Sequence, residues 1–143
     1  MRIGFVNLLV LLCLITIGTK AVNAQASNRF EVEIPFPFVL QDRELPAGKY
    51  RVERIDPSKP NLLMLKNVDA HIMRLVLTQR AERDTPSTAT YLLFKRCDEK
   101  LYLFQVWVTG AMNGLQIALI EESEKKNQRA DSTSFVRLNA RAP

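Results

Sequence analysis

Histidine, cysteine and glycine are all scarce in this chain of 143 residues, which holds one histidine, two cysteines and five glycines. A lone His71 cannot supply the several converging imidazole, thiolate or carboxylate ligands that a zinc or copper centre takes. So few glycines leave little backbone to cradle a phosphate, and no Gly-rich phosphate loop, Gly-x-Ser-x-Gly elbow or acidic calcium loop occurs. Charge of one sign is also lacking: Lys and Arg alternate with Glu and Asp along most of the chain, and the formal charge is only +5. A nucleic-acid partner would call for basic residues clustered on one face, so that class is set aside.

What is present begins with the first 24 residues. Arg2 gives a positive start, Leu8 to Ile15 is an unbroken apolar run, and Ala24 and Ala26 each close a small-residue cleavage site. That is the layout of a secretory signal peptide, cleaved after 24 or 26, which leaves a single β-rich domain over 27–143. The apolar stretch contains Asn7 and Thr16 and stops at Lys20, short of the ~20 residues that a spanning helix needs, so no stable membrane anchor is expected after cleavage. Loss of Arg2 and Lys20 lowers the formal charge from +5 to +3. Cys13 leaves with the segment, and Cys97 alone cannot form an intrachain disulfide in an exported compartment. The fold must be held by its core.

Period-2 patterning dominates the rest. From Phe30 to Leu40 every even position is apolar (Phe30, Val32, Ile34, Phe36, Phe38, Leu40), which places them on one face of a strand. Pro35 and Pro37 cannot donate to a ladder and predict an edge or a break there. Leu45-Pro46-Ala47-Gly48 reads as a turn and Lys49 to Ile55 as a strand. Leu62–Leu65, Met73–Thr78, Tyr91–Phe94 and Leu101–Val108 are apolar on both faces or nearly so, and are expected to be covered on both sides. Asn67-Val68-Asp69 and Cys97-Asp98-Glu99-Lys100 read as hairpin turns, and Gln79–Ser87 as a polar mobile loop. Leu115–Ile120 is apolar but too short to separate strand from helix by periodicity. Glu121 with Lys125 and Glu122 with Lys126 stand at the i,i+4 spacing of a helix, predicted over Ala118–Gln128. Phe135–Leu138 is a terminal strand. The fold expected is all-β, an antiparallel sandwich or small barrel of about 7–8 strands with one short helix near the C-terminus.

The order Pro35-Phe36-Pro37-Phe38, Leu45-Pro46-Ala47-Gly48-Lys49-Tyr50-Arg51-Val52, then Phe94-Lys95-Arg96 followed by Tyr102-Leu103-Phe104-Gln105-Val106-Trp107 resembles the signature of a family of small exported proteins common in Acidobacteria. The resemblance spans roughly residues 30–126. It implies an export signal and a β-rich fold, and carries over no catalytic residue. Lys95 stands where that family often has His, and Asp98 where it often has a turn Gly.

Candidate chemistry is thin. His71 falls in register with Met73, Leu75 and Leu77 and reads as a partly buried or edge histidine. Cys97, next to Asp98 and Glu99, reads as a surface thiol without a surrounding catalytic signature. Asp98-Glu99 and Glu121-Glu122 are adjacent acids that diverge into solvent, unlike the facing carboxyls of glycoside hydrolysis. Trp107, Tyr102, Phe104 and Tyr91 read as core aromatics, with Trp107 sharing a strand face with Leu101 and Leu103. No catalytic, cofactor-binding or metal residue is assigned, and no cofactor. The surplus apolar strand surface needs a cover: the C-terminal segment, a second subunit, or an apolar ligand inside a barrel. Two functions follow. The first is a non-enzymatic exported β module acting by binding or assembly at the cell envelope, its partner a protein or a second copy. The alternative is a small β-barrel carrier of an apolar ligand.

Overall fold

The computed structural model describes residues 29–56, 58–118 and 134–140, and among them every regular element is a strand. In chain order these are β1 (Arg29–Ile34), β2 (Phe38–Leu40), β3 (Arg43–Leu45), β4 (Gly48–Arg54), β5 (Leu62–Asn67), β6 (Met73–Glu82), β7 (Tyr91–Cys97), β8 (Lys100–Trp107), β9 (Asn113–Ile117) and β10 (Ser134–Asn139). The all-β expectation holds, with ten strands instead of 7–8. The signal peptide and, apart from Ala118, the helix expected over Ala118–Gln128 lie outside the described residues.

The strands form one open sheet in the order β1-β4-β5-β6-β9-β8-β2-β3, with β7 also on β8 and β10 beyond β7. It is neither two separate sheets nor a closed barrel. All pairs are antiparallel except β2 with β8, which run parallel through Val39 and Tyr102. The sheet turns back on itself at β6. Met73–Leu77 pair with β5, whereas Thr78–Glu82 pair with β9. Backbone groups point to alternate edges along a strand, and Thr78 N–H donates to Asn61 O at 2.8 Å on the β5 side, while Arg83 N–H donates to Met112 O at 3.1 Å on the β9 side. Ten residues of one strand therefore serve both halves, and the polar stretch Gln79–Glu82, expected as loop, is strand because β9 gives it a ladder.

The core lies between the halves. The even residues of the first apolar run all reach it: Val32, Ile34, Phe38 and Leu40 are buried and Phe30 and Phe36 pack against it. Pro35 and Pro37 break the run as expected, but the break is a crossing. β1 pairs with β4 in one half, and β2 joins β3 and β8 in the other. Phe38 meets Tyr50 edge-on at 5.2 Å and Phe94 at 5.5 Å, and Phe36 meets Phe94 at 5.2 Å. Such edge-to-face pairs contribute about 0.5–1.5 kcal/mol each beyond their buried area and tie the two halves together.

The Leu45–Tyr50 motif is a staple. Tyr50 O–H donates to Pro46 O at 2.7 Å, a tyrosine corner that fixes the chain entering β4. Gly48 has φ +146°, and a Cβ there would stand 3.1 Å from Asn67 Nδ2. Asn67 in turn accepts from Asp69 N–H and Ala70 N–H at 2.9 and 2.8 Å, closing the β5–β6 turn. The β7–β8 hairpin closes at Asp98-Glu99, with Asp98 in the left-handed region at φ 55°.

In β8, one residue changes the reading of the aromatics. Leu93 lies opposite Gln105 and Phe94 opposite Leu103, which leaves Phe104 unpaired in a bulge. The extra residue shifts the phase: Leu101, Leu103 and Val106 face the core, and Trp107 faces out. Trp107 does not share a face with Leu101 and Leu103 as period 2 predicts.

Candidate functional site

Trp107 is buried all the same, 3 % exposed, because a second small cluster covers it. Ala81 and Tyr91 are buried beside it and Leu93 packs against them. Tyr91 stacks on Trp107 at 6.4 Å and 22°. The Arg83 guanidinium lies 5.0 Å from the indole and donates to Tyr91 Oη at 2.9 Å, and Arg137 of β10 lies 4.0 Å over the Tyr91 ring. Trp107 Nε1 donates to Gln105 Oε1 at 3.0 Å, and Gln105 Nε2 to Gln116 Oε1 at 3.1 Å. Gly114 lies under the indole, where a Cβ would come within 2.8 Å of ring carbons. With its rings capped by arginines, this cluster presents no open stacking face. Its cation–π contacts, worth about 0.5–2 kcal/mol each, tie β10 to β7 and the segment after β6 to β8. Of the other aromatics, Phe104 is half-buried at 5.8 Å from Phe135 and beneath Lys95 Nζ, also at 5.8 Å, and Tyr102 is half-buried.

The outer face of β6 differs from the expectation of two covered faces. Met73, Leu75 and Leu77 are 54, 52 and 63 % exposed, and their cross-strand neighbours Lys66, Met64 and Leu62 are half-buried. Nothing among the described residues lies over them. The backbone is open too. Since Thr78 turns its N–H toward β5, the odd residues Met73 and Leu75 turn theirs to the opposite edge, where β9 reaches only as far as Thr78. Arg74 Nη1 donates to Met73 O at 3.1 Å, capping one group of that edge.

On the other edge of β6 the geometry is reversed. β5 begins only at Leu62 while β6 runs on past Thr78, so the space that a longer β5 would fill is a cleft of ≈ 380 Å³. Arg54 from the end of β4, Pro60 and Asn61 before β5, Thr78, Gln79 and Arg80 of β6, and Asn113, Gly114 and Leu115 of β9 line it. No acid is among them. Arg80 Nε is 3.5 Å from Glu82 Oε1, a loose pair open to solvent on both sides.

The residues singled out from sequence stay apart from these features. His71 is exposed, outside β6, in the turn before it at φ 56°, with Nδ1 3.2 Å from Asp69 O. Cys97 is 6 % exposed, so its thiol is buried, not on the surface: it ends β7 inside the hairpin. Asp98 and Glu99 are exposed in the two-residue turn, and Glu121 and Glu122 lie outside the described residues. Among the described residues no three His, Cys, Asp or Glu groups converge as metal ligands. Sequence reasoning missed Arg54, Asn61, Arg80 and Asn113, which come from four separate segments. Pro60, which has no N–H to give to a ladder, is the one sequence signal of a gap there. No protein-family model, curated protein or solved structure matches the chain.

Proposed function

We propose that the protein is an exported, non-enzymatic β module that acts by assembly at the cell envelope, and that its partner on β6 is a second copy of the chain. The observation that carries this reading is the exposed apolar row Met73-Leu75-Leu77 beside an edge with open backbone groups. An unpaired strand edge is a template for another strand, and proteins that do not use one guard it with charge, proline or a bulge. Among the described residues of this edge only Arg74 does so. Antiparallel pairing of β6 with its copy about Leu75 sets Leu75 against Leu75 and Met73 against Leu77. Arg74 then faces Val76 and no like charge meets its equal. Such an isologous pairing closes after two copies.

The carrier alternative requires an enclosed apolar chamber. It draws no support from an interior in which Tyr50, Phe38, Phe94, Leu103 and Ile117 are at most 1 % exposed.

Sedimentation velocity of the exported protein tests the assembly. The wild type is expected to sediment as a dimer with a melt that rises with concentration, and Leu75→Lys, which puts a charge at the two-fold axis, as a folded monomer whose cooperative melt does not depend on concentration. A wild type that is monomeric at every concentration tested would refute the reading.

A further inference from the structure

The cleft on the opposite edge of β6 carries an inference independent of assembly. We infer that it binds a polyhydroxylated carboxylate, an acidic sugar of monosaccharide size. At ≈ 380 Å³ the cleft lies at the small end of ligand sites, which span roughly 300–1,000 Å³. Among the described residues its only charged lining groups are the guanidiniums of Arg54 and Arg80. A guanidinium offers a planar fork of donors that matches a carboxylate. Among the described residues Arg54 belongs to no ion pair, and the loose contact of Arg80 with Glu82 engages only Nε, with no other acid among them paired to its fork.

The remaining polar lining selects hydroxyls. Asn61 and Asn113 each carry an amide that donates and accepts at once, as a sugar hydroxyl requires of its partner. Thr78 is already committed: its Oγ1 donates to Asn61 O at 3.0 Å, which fixes the lip of the cleft where β5 departs. Pro60 and Leu115 add apolar surface against which the C–H face of a sugar ring can lie. A simple inorganic anion would use the arginines and leave the two amides idle.

Glu82 makes the site testable in the direction of gain. It competes with the ligand carboxylate for Arg80, so its removal tightens binding while the removal of either arginine loosens it. The test is titration of the full exported protein by amide NMR with glucuronate, glucose and inorganic phosphate. Glucuronate is expected to saturate and to shift the amides of residues 78–80 and 113–115. Arg54→Gln and Arg80→Gln each weaken it by about tenfold, the value of one charge-assisted contact, and Glu82→Gln tightens it by about threefold. Gain of affinity in Glu82→Gln cannot come from misfolding, and melts of the arginine variants check their folding. Failure of glucuronate to saturate, glucose or phosphate binding as tightly as glucuronate, or affinity unchanged in the arginine and Glu82 variants would each overturn the inference. Sedimentation of Leu75→Lys reads the assembly separately.

Discussion

Glu31 sits on the outer face of β1 between two cations, its Oε2 2.7 Å from Lys49 Nζ and its Oε1 2.8 Å from Arg51 Nη2. The hydrogen bonds from Lys49 and then Arg51 hold its carboxyl down from 4.5 to about 2. A carboxylate with a lowered folded-state pKa contributes stability that is present above its unfolded value and is lost as pH falls toward the folded one. The β1–β4 pairing should therefore weaken between pH about 4.5 and about 2 through this group. Thermal melts of wild type and Glu31→Gln across that window check it, and the difference between the two curves should shrink as pH falls. Identical differences at pH 6 and pH 2 would show that the bridge contributes nothing, as exposed ion pairs often do. At Gly114 the expectation is steric. A Cβ at 2.8 Å from the Trp107 ring must displace it, so Gly114→Ala should lower stability by about 1–3 kcal/mol in denaturant melts, the usual cost of overpacking. At Gly48 the positive φ adds backbone strain to the contact with Asn67, and Gly48→Ala should destabilise similarly.

Among the elements, β1, β4 and both hairpin turns were legible, because alternation over six or more residues is bounded there by proline, glycine or turn residues, and β5 showed as a short apolar run before a turn. What alternation could not give was partner choice. Residues 30–40 read as one run whose even side chains do share one core, yet β1 and β2 serve opposite halves of the sheet. In β8 the single unpaired residue Phe104 inverted the faces beyond it, and nothing in the composition of the strand marks a bulge. In β6 the odd apolar residues looked covered, since hydrophobicity reports a tendency to be buried and not the presence of a cover. Thr78 is where that strand changes partner, buried at 5 % exposure with both its N–H and its hydroxyl directed to Asn61 O. Thr78→Val keeps the shape and leaves one bond, so it should cost about 1 kcal/mol in urea melts with an unchanged m-value. A loss of several kcal/mol with a lower m-value would mean that the two halves unfold separately.

The described residues form one sheet folded over one core, with β6 as the strand common to both halves and, among them, with one edge of that strand unpaired on each side of Thr78. The first open edge is apolar and flat, the second polar and concave, and the two proposals divide between them. The polar cleft residues Arg54, Asn61, Arg80 and Asn113 were illegible in sequence because each is an ordinary polar residue near a strand end, and the late start of β5 brings them together. Assembly through β6 makes a demand on individual backbone groups that no other arrangement makes. Amide hydrogen exchange followed residue by residue at low and high protein concentration is the most direct test. Thr78 N–H, bonded to Asn61 O within the chain, should be protected at both concentrations. Leu75 N–H, on the open edge, should be protected only at the high concentration, where its copy supplies the acceptor. Protection of Leu75 that is equal at both concentrations, or absent at both, would contradict the account.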